Sequence, residues 1–119
     1  MTVWTWIAVA LVGGAGAIAR FVVDREVGRR FGGAFPYGTL MINLSGSFLL
    51  GLVTGLALST DALLIIGTAT IGSYTTFSTW MFETYHLASE KKLALAAANV
   101  ILSLTVGLGA LALGHLITA

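Results

Sequence analysis

The sequence predicts an all-α membrane protein of four transmembrane helices, the third of them broken mid-membrane. Three observations carry this. Hydrophobic residues make up 57% and charged residues 9% of the 119-residue chain, whereas a soluble domain carries about 25% charged residues. Four apolar runs, over about residues 4–23, 37–58, 63–87 and 93–117, approach or reach the roughly 20 residues needed to cross a bilayer. The third run is interrupted by Gly72-Ser73-Tyr74-Thr75-Thr76-Phe77-Ser78-Thr79-Trp80, a cluster of hydroxyls foreign to a lipid-facing helix. Hydrocarbon offers no water to a freed N–H or C=O, so such backbone is tolerated only inside protein or along a polar path. A helix broken there marks the functional centre.

Residues 1–119 read as one integral membrane domain, too short to enclose a wide aqueous path alone, so an oligomer is expected. The absence of cysteine excludes disulfides and thiolate chemistry. A net charge of +1 argues against a nucleic-acid partner. No basic region precedes the first apolar run, so that run is expected to stay as a span and not to be cleaved as a signal.

The first span, about Trp4 to Val23, begins with Trp4 and Trp6 as interfacial anchors. Its Gly13, Gly14 and Gly16 let another helix come close. Arg20 lies near its end, where a snorkelling arginine is the plain reading. Asp24 to Phe35 reads as a polar loop. Pro36, the sole proline, opens the second span where its missing N–H costs least. Thr39, Asn43, Ser45 and Ser47 lie along that span, and Gly51 and Gly55 form a small-residue ridge. For Asn43 the plain reading is an interhelical hydrogen bond.

Ser59-Thr60-Asp61 reads as a turn, with Asp61 as the N-cap of the third span. Glu83, toward the end of that span, either faces lipid headgroups or pairs with Arg20. His86 and His115 read as interfacial. Glu90-Lys91-Lys92 turns the chain into the fourth span, on which Asn99 and Ser103 share a face. Gly107, Gly109 and Gly114 suggest close packing further on. There is no metal-ligand spacing, phosphate loop or Ser/His/Asp set, so no enzymatic activity is expected.

Together these motifs resemble the Fluc (CrcB) family of fluoride channels. The resemblance rests on Gly13-Gly14, Gly16-Ala17 and Arg20, and on Pro36-Tyr37-Gly38-Thr39-Leu40 followed by Asn43. It also rests on Gly72 through Thr79, including Thr75-Thr76-Phe77, with Glu83 after it. It spans essentially the whole chain, although the fourth span is similar only in the spacing of its polar residues. The resemblance implies a fluoride-selective channel that lets fluoride leave the cell down its electrochemical gradient. It implies a dual-topology, antiparallel dimer in the cell membrane, with two narrow fluoride pathways at the interface.

By the same resemblance, Asn43 matches a pore-lining asparagine and Phe77 the first of two phenylalanines. Gly72 and Thr75 match residues whose backbone carbonyls hold a structural Na+ between the subunits. Thr76, Ser78, Thr79, Asn99 and Ser103 would belong to the polar pathway, with Arg20, Thr39 and Glu83 as further candidates. Trp80 departs from the pattern by standing where the second phenylalanine is usual. Its larger ring would narrow the path, its N–H would add a donor, or it would point elsewhere.

The residue chemistry suits the implied ion. Fluoride is small and tightly hydrated, so a pore must replace its hydration with weak, multi-site binding. Amide and hydroxyl donors meet that need, and the positive edge of an aromatic ring faces an anion favourably. Carbonyls exposed at a helix break suit a hard cation.

Four spans place both termini on one side of the membrane. Arg20, Arg25, Arg29, Arg30, Lys91 and Lys92, all six cations of the chain, fall on the other. The positive-inside rule then puts the 24–35 and 90–92 loops in the cytoplasm and the termini outside. So strong a bias fits a chain inserted mainly one way and paired with a related subunit of opposite orientation; an inverted copy is the partner if Arg20 is set aside as a functional residue and Asp24, Glu26 and Glu90 mute the rest. Two rival functions compete with this one. A proton-coupled small multidrug exporter needs a carboxylate in the first span, and residues 4–19 contain none. A non-conducting partner subunit of a heterodimeric channel is the alternative that Trp80 and the charge bias leave open, against the presence of Asn43 and Phe77.

Overall fold

The computed structural model describes residues 2–119. The described residues form helices and no strand: α1 (Val3–Arg30), α2 (Tyr37–Thr54), α3 (Thr60–Ala62), a π-helical segment (Leu63–Ile71), α4 (Gly72–Tyr74), α5 (Ser78–Ser89) and α6 (Leu93–Thr118). Of these, α1, α2 and α6 are each long and apolar enough to cross a membrane. The molecule measures 50 × 29 × 23 Å, against about 40–45 Å for a bilayer with its headgroups.

The Thr2 hydroxyl caps α1 by accepting from the Thr5 N–H. The helix continues past the apolar run to Arg30, through residues that read as loop. Glu26 explains the extension: its carboxylate meets Arg29 at 2.8 Å one turn on, and Arg29 and Arg30 oppose the negative end of the helix dipole. Ser59 is the N-cap of α3, accepting from the Ala62 N–H at 3.3 Å. Asp61 lies within the first turn, where its carboxylate accepts from the Thr5 hydroxyl at 3.3 Å and ties this segment to α1. The expected Asp61 cap is thereby corrected: a serine at position 59 reaches the orphan N–H that the aspartate cannot.

From Leu63 to Ile71 the helix widens to π geometry, and the Gly72 N–H donates back to Gly67. The Thr70 hydroxyl follows the same five-residue step to Ile65 O at 2.7 Å. Such widening is rare and accumulates at functional sites. At its far end α5 closes with Lys91 at φ +61°, while the Lys92 N–H reaches Leu87 O and the Lys91 N–H reaches Ala88 O. This left-handed cap satisfies the last carbonyls and turns the chain into α6.

Packing depends on backbone proximity more than on a large apolar core. A Cβ at Gly51 would strike the Leu111 carbonyl, and one at Gly114 would strike the Phe48 carbonyl, so α2 and α6 lie backbone to backbone. Ile42, Val53, Ile71 and Leu87 are buried, whereas large apolar side chains on every long helix stay exposed. Those faces suit lipid or another subunit. The 33–36 loop and the end of α5 share one cavity, so Arg29, Arg30, Lys91 and Lys92 gather at one end of the molecule. At the other end, Thr5 meets Asp61 and Thr54 meets His115.

Candidate functional site

The backbone leaves the helix between α4 and α5. Thr75 is extended, with φ −81° and ψ 162°, and helix resumes at Ser78. Asn43, on α2, occupies this gap with both ends of its amide. The Thr76 N–H donates to Asn43 Oδ1 at 2.9 Å, and Asn43 Nδ2 donates to Thr76 O at 2.8 Å. In an unbroken α-helix the Thr76 N–H would bond the Gly72 carbonyl; here Asn43 has taken that donor. Gly46 admits the approach, since a Cβ there would strike the Thr75 side chain.

Each side of the gap ends in a half-charge. Carbonyls terminate the segment ending at Tyr74, with the Gly72 oxygen released from its helical donor. The first N–H groups of α5 lack intrahelical acceptors, and Thr76 Oγ1 caps only the Thr79 N–H, at 3.2 Å. Partial negative charge therefore sits before Thr75 and partial positive charge after Phe77.

A groove of about 590 Å³ runs past the gap and brings Asn43, Gly72, Thr75, Thr76, Phe77, Trp80 and Ser103 onto one lining. The Ser103 hydroxyl is buried there without a partner. Phe77 is 70% exposed and meets Trp80 edge to face, with centroids 5.8 Å apart. A second cavity, of about 290 Å³, lies on the other side of Thr76 and is lined by Arg20, Asp24, Thr39 and Thr79. Thr76 thus separates an open groove from a pocket containing an arginine.

The sequence matches the family described as CrcB-like protein, Camphor Resistance (CrcB), over residues 7–115. The chain belongs to the CrcB family. It is 50% identical over 115 residues to "Fluoride-specific ion channel FluC 2" of Mycobacterium bovis, covering 97% of this chain and 91% of that protein. The protein of the same name from Mycolicibacterium paratuberculosis is 53% identical over 114 residues, covering 96% and 93%. "Fluoride-specific ion channel FluC 1" of Leifsonia xyli is 43% identical over 118 residues, covering 96% and 86%.

In this CrcB chain the remaining candidates fall outside the groove. Ser78 is exposed at the start of α5. Asn99 is completely buried: its carbonyl accepts from Trp80 Nε1 at 3.1 Å, and its Nδ2 donates to Thr84 Oγ1 at 2.9 Å. Glu83 lines a third cavity with His86, and one of its oxygens is buried without a partner. Among the described residues Glu83 forms no ion pair with Arg20; Thr39 stands beside it. Thr84 escaped the sequence reading, although its place one turn after Trp80 was the available signal. Tyr74, named within the 72–80 stretch without a role of its own, shares a 2.8 Å hydrogen bond with Ser45 through its hydroxyl.

Proposed function

We propose that this chain is a subunit of a fluoride-selective channel in the cell membrane, and not an enzyme. Fluoride-specific channels are what its CrcB relatives are named for. The observation that carries the reading is the gap at Thr75–Phe77, held open by Asn43 inside the groove. With α1, α2 and α6 spanning the bilayer, the stretch from α3 to α5 completes a fourth crossing whose break falls at mid-membrane. Non-helical backbone at that depth requires a polar path or a protein partner, and the groove beside it supplies both needs when a second subunit faces it.

Fluoride enters past Arg20, whose charge raises the local anion concentration, and reaches the polar atoms around Thr76. The positive start of α5, the Thr76 and Ser103 hydroxyls and the free N–H of the Asn43 amide replace its hydration with weak donors. None is a cation, so the ion is passed on and not trapped. Phe77 offers its ring edge from the groove wall. Ser78 and Thr79 extend the donors along the start of α5, Thr39 lines the Arg20 pocket, and Glu83 lines the neighbouring third cavity.

The released Gly72 carbonyl and the extended Thr75 backbone suit a hard cation. A structural Na+ at the dimer interface would be held by these oxygens, supplying positive charge that fixes the break. The companion subunit would face the opposite way, as the resemblance to dual-topology dimers implies. The six cations bias this chain toward cytoplasmic 24–35 and 90–92 loops, which favours a related chain of opposite orientation over an inverted copy.

Fluoride efflux from liposomes holding the purified chain alone, with chloride as control, tests the reading. Rapid fluoride release without chloride release is expected. An intact dimer that releases neither ion would refute it and favour a non-conducting partner subunit.

A further inference from the structure

Trp80 stands where the second phenylalanine of the pathway is usual and Asn99 at one of its polar positions, yet their hydrogen bonds join them to each other. Trp80 Nε1 donates to the Asn99 carbonyl at 3.1 Å. One turn along α5, the Thr84 hydroxyl accepts from Asn99 Nδ2 at 2.9 Å and donates to the Trp80 carbonyl at 2.8 Å. Two residues of α5 thus grip one residue of α6, by its backbone and by its side chain, and Asn99 is left with no exposed surface. The other face of the indole meets the groove, where Phe77 packs edge to face on it. Phe77 is otherwise largely exposed, so the indole is the ring that fixes it within the chain.

We propose that Trp80 is a positioning residue: its N–H serves Asn99 and not the anion, locking α5 to α6 and setting the ring of Phe77. This rests on the channel reading above. A phenyl group has no N–H, so this lock is denied to the phenylalanine that is usual at this position. Asn99 is its anchor, and Ser103, one turn further along α6, is held at the groove with its hydroxyl free. Thr84 belongs to the same unit although it does not line the groove.

The test uses the full-length chain and two readouts. The Trp80 indole ¹⁵N–¹H resonance, identified among the three tryptophans by its loss in Trp80→Phe, should keep its position when sodium fluoride is added. A shift produced by fluoride and not by chloride would show direct ligation and overturn the proposal. In liposomes, Trp80→Phe and Thr84→Val should each lower fluoride-over-chloride discrimination about fivefold, the factor carried by one net hydrogen bond. The double variant should lose no more than the worse single one, because both changes break one unit. Wild-type discrimination in Thr84→Val, or effects that multiply, would contradict it. Vesicles that release no fluoride would sink the channel reading instead. In that event slow hydrogen exchange at the Trp80 indole, accelerated by Thr84→Val, still supports the lock, and unchanged exchange refutes it.

Discussion

Replacing Asn43 by alanine removes both hydrogen bonds that hold the gap, to the Thr76 N–H and the Thr76 carbonyl. Thr76 is 8% exposed, so water does not readily replace them. Each buried group left without a partner costs about 1–3 kcal/mol. The Thr76 N–H has one refuge, the Gly72 carbonyl, and taking it would straighten the helix and close the break. The Thr76 carbonyl has only the Trp80 N–H, which it meets through the same straightening. A net loss of about 2 kcal/mol results, equivalent to roughly 30-fold in an equilibrium. Asn43→Ala should therefore lower the unfolding temperature in detergent and reduce fluoride efflux from liposomes by at least about tenfold. Asn43→Asp keeps the acceptor for Thr76 N–H but loses the donor and adds a negative charge. With a carboxylate oxygen facing the Thr76 carbonyl where Nδ2 now donates, it should cost at least as much stability as alanine and reduce flux at least as far. Wild-type stability and flux in Asn43→Ala would refute the clamp.

The same structure predicts three more outcomes. Gly51→Leu should destabilise the chain by several kcal/mol, on the order of an overpacked core, since even a Cβ would meet the Leu111 carbonyl; unfolding in detergent measures this, and an unchanged midpoint would contradict the α2–α6 contact. Removing sodium during purification should lower the unfolding temperature, with recovery on adding sodium and not potassium, because a ligand of the native state alone stabilises it by mass action; sodium-independent stability would exclude the carbonyl-bound ion. Reporter fusions at the C-terminus should signal mainly from outside the cell, since Arg29, Arg30, Lys91 and Lys92 gather at the opposite end of the molecule; equal signal from both compartments would rule out a fixed orientation.

The helical class and the position of the groove were legible in the sequence. Long apolar runs specify membrane helices by length alone, and a hydroxyl cluster at 72–79 inside one of them has to be shielded from lipid. The π-helical turn at 63–71 was not legible, because Leu, Ile, Thr and Gly in that order suit α and π geometry alike. The last turns of α1 were hidden for the opposite reason: Arg25, Glu26, Arg29 and Arg30 look like loop until their spacing on a helix is considered. Partners distant in the chain were the largest gap. Asn43 bonds a residue 33 positions away, and no local pattern names Thr76 as its partner. Trp80 showed only that it had a donor to place. Its choice of Asn99 depends on how α5 lies against α6, which is decided by packing and not by composition.

The most direct test is the reversal potential of the purified chain in a planar bilayer, with sodium fluoride on one side and sodium chloride on the other. Donors aimed at one small, strongly hydrated anion predict a reversal near the limit set by fluoride alone, with the sodium and chloride contributions negligible. A reversal near zero, or one displaced toward the chloride limit, would contradict fluoride selectivity and with it the account of the gap, the groove and Asn43.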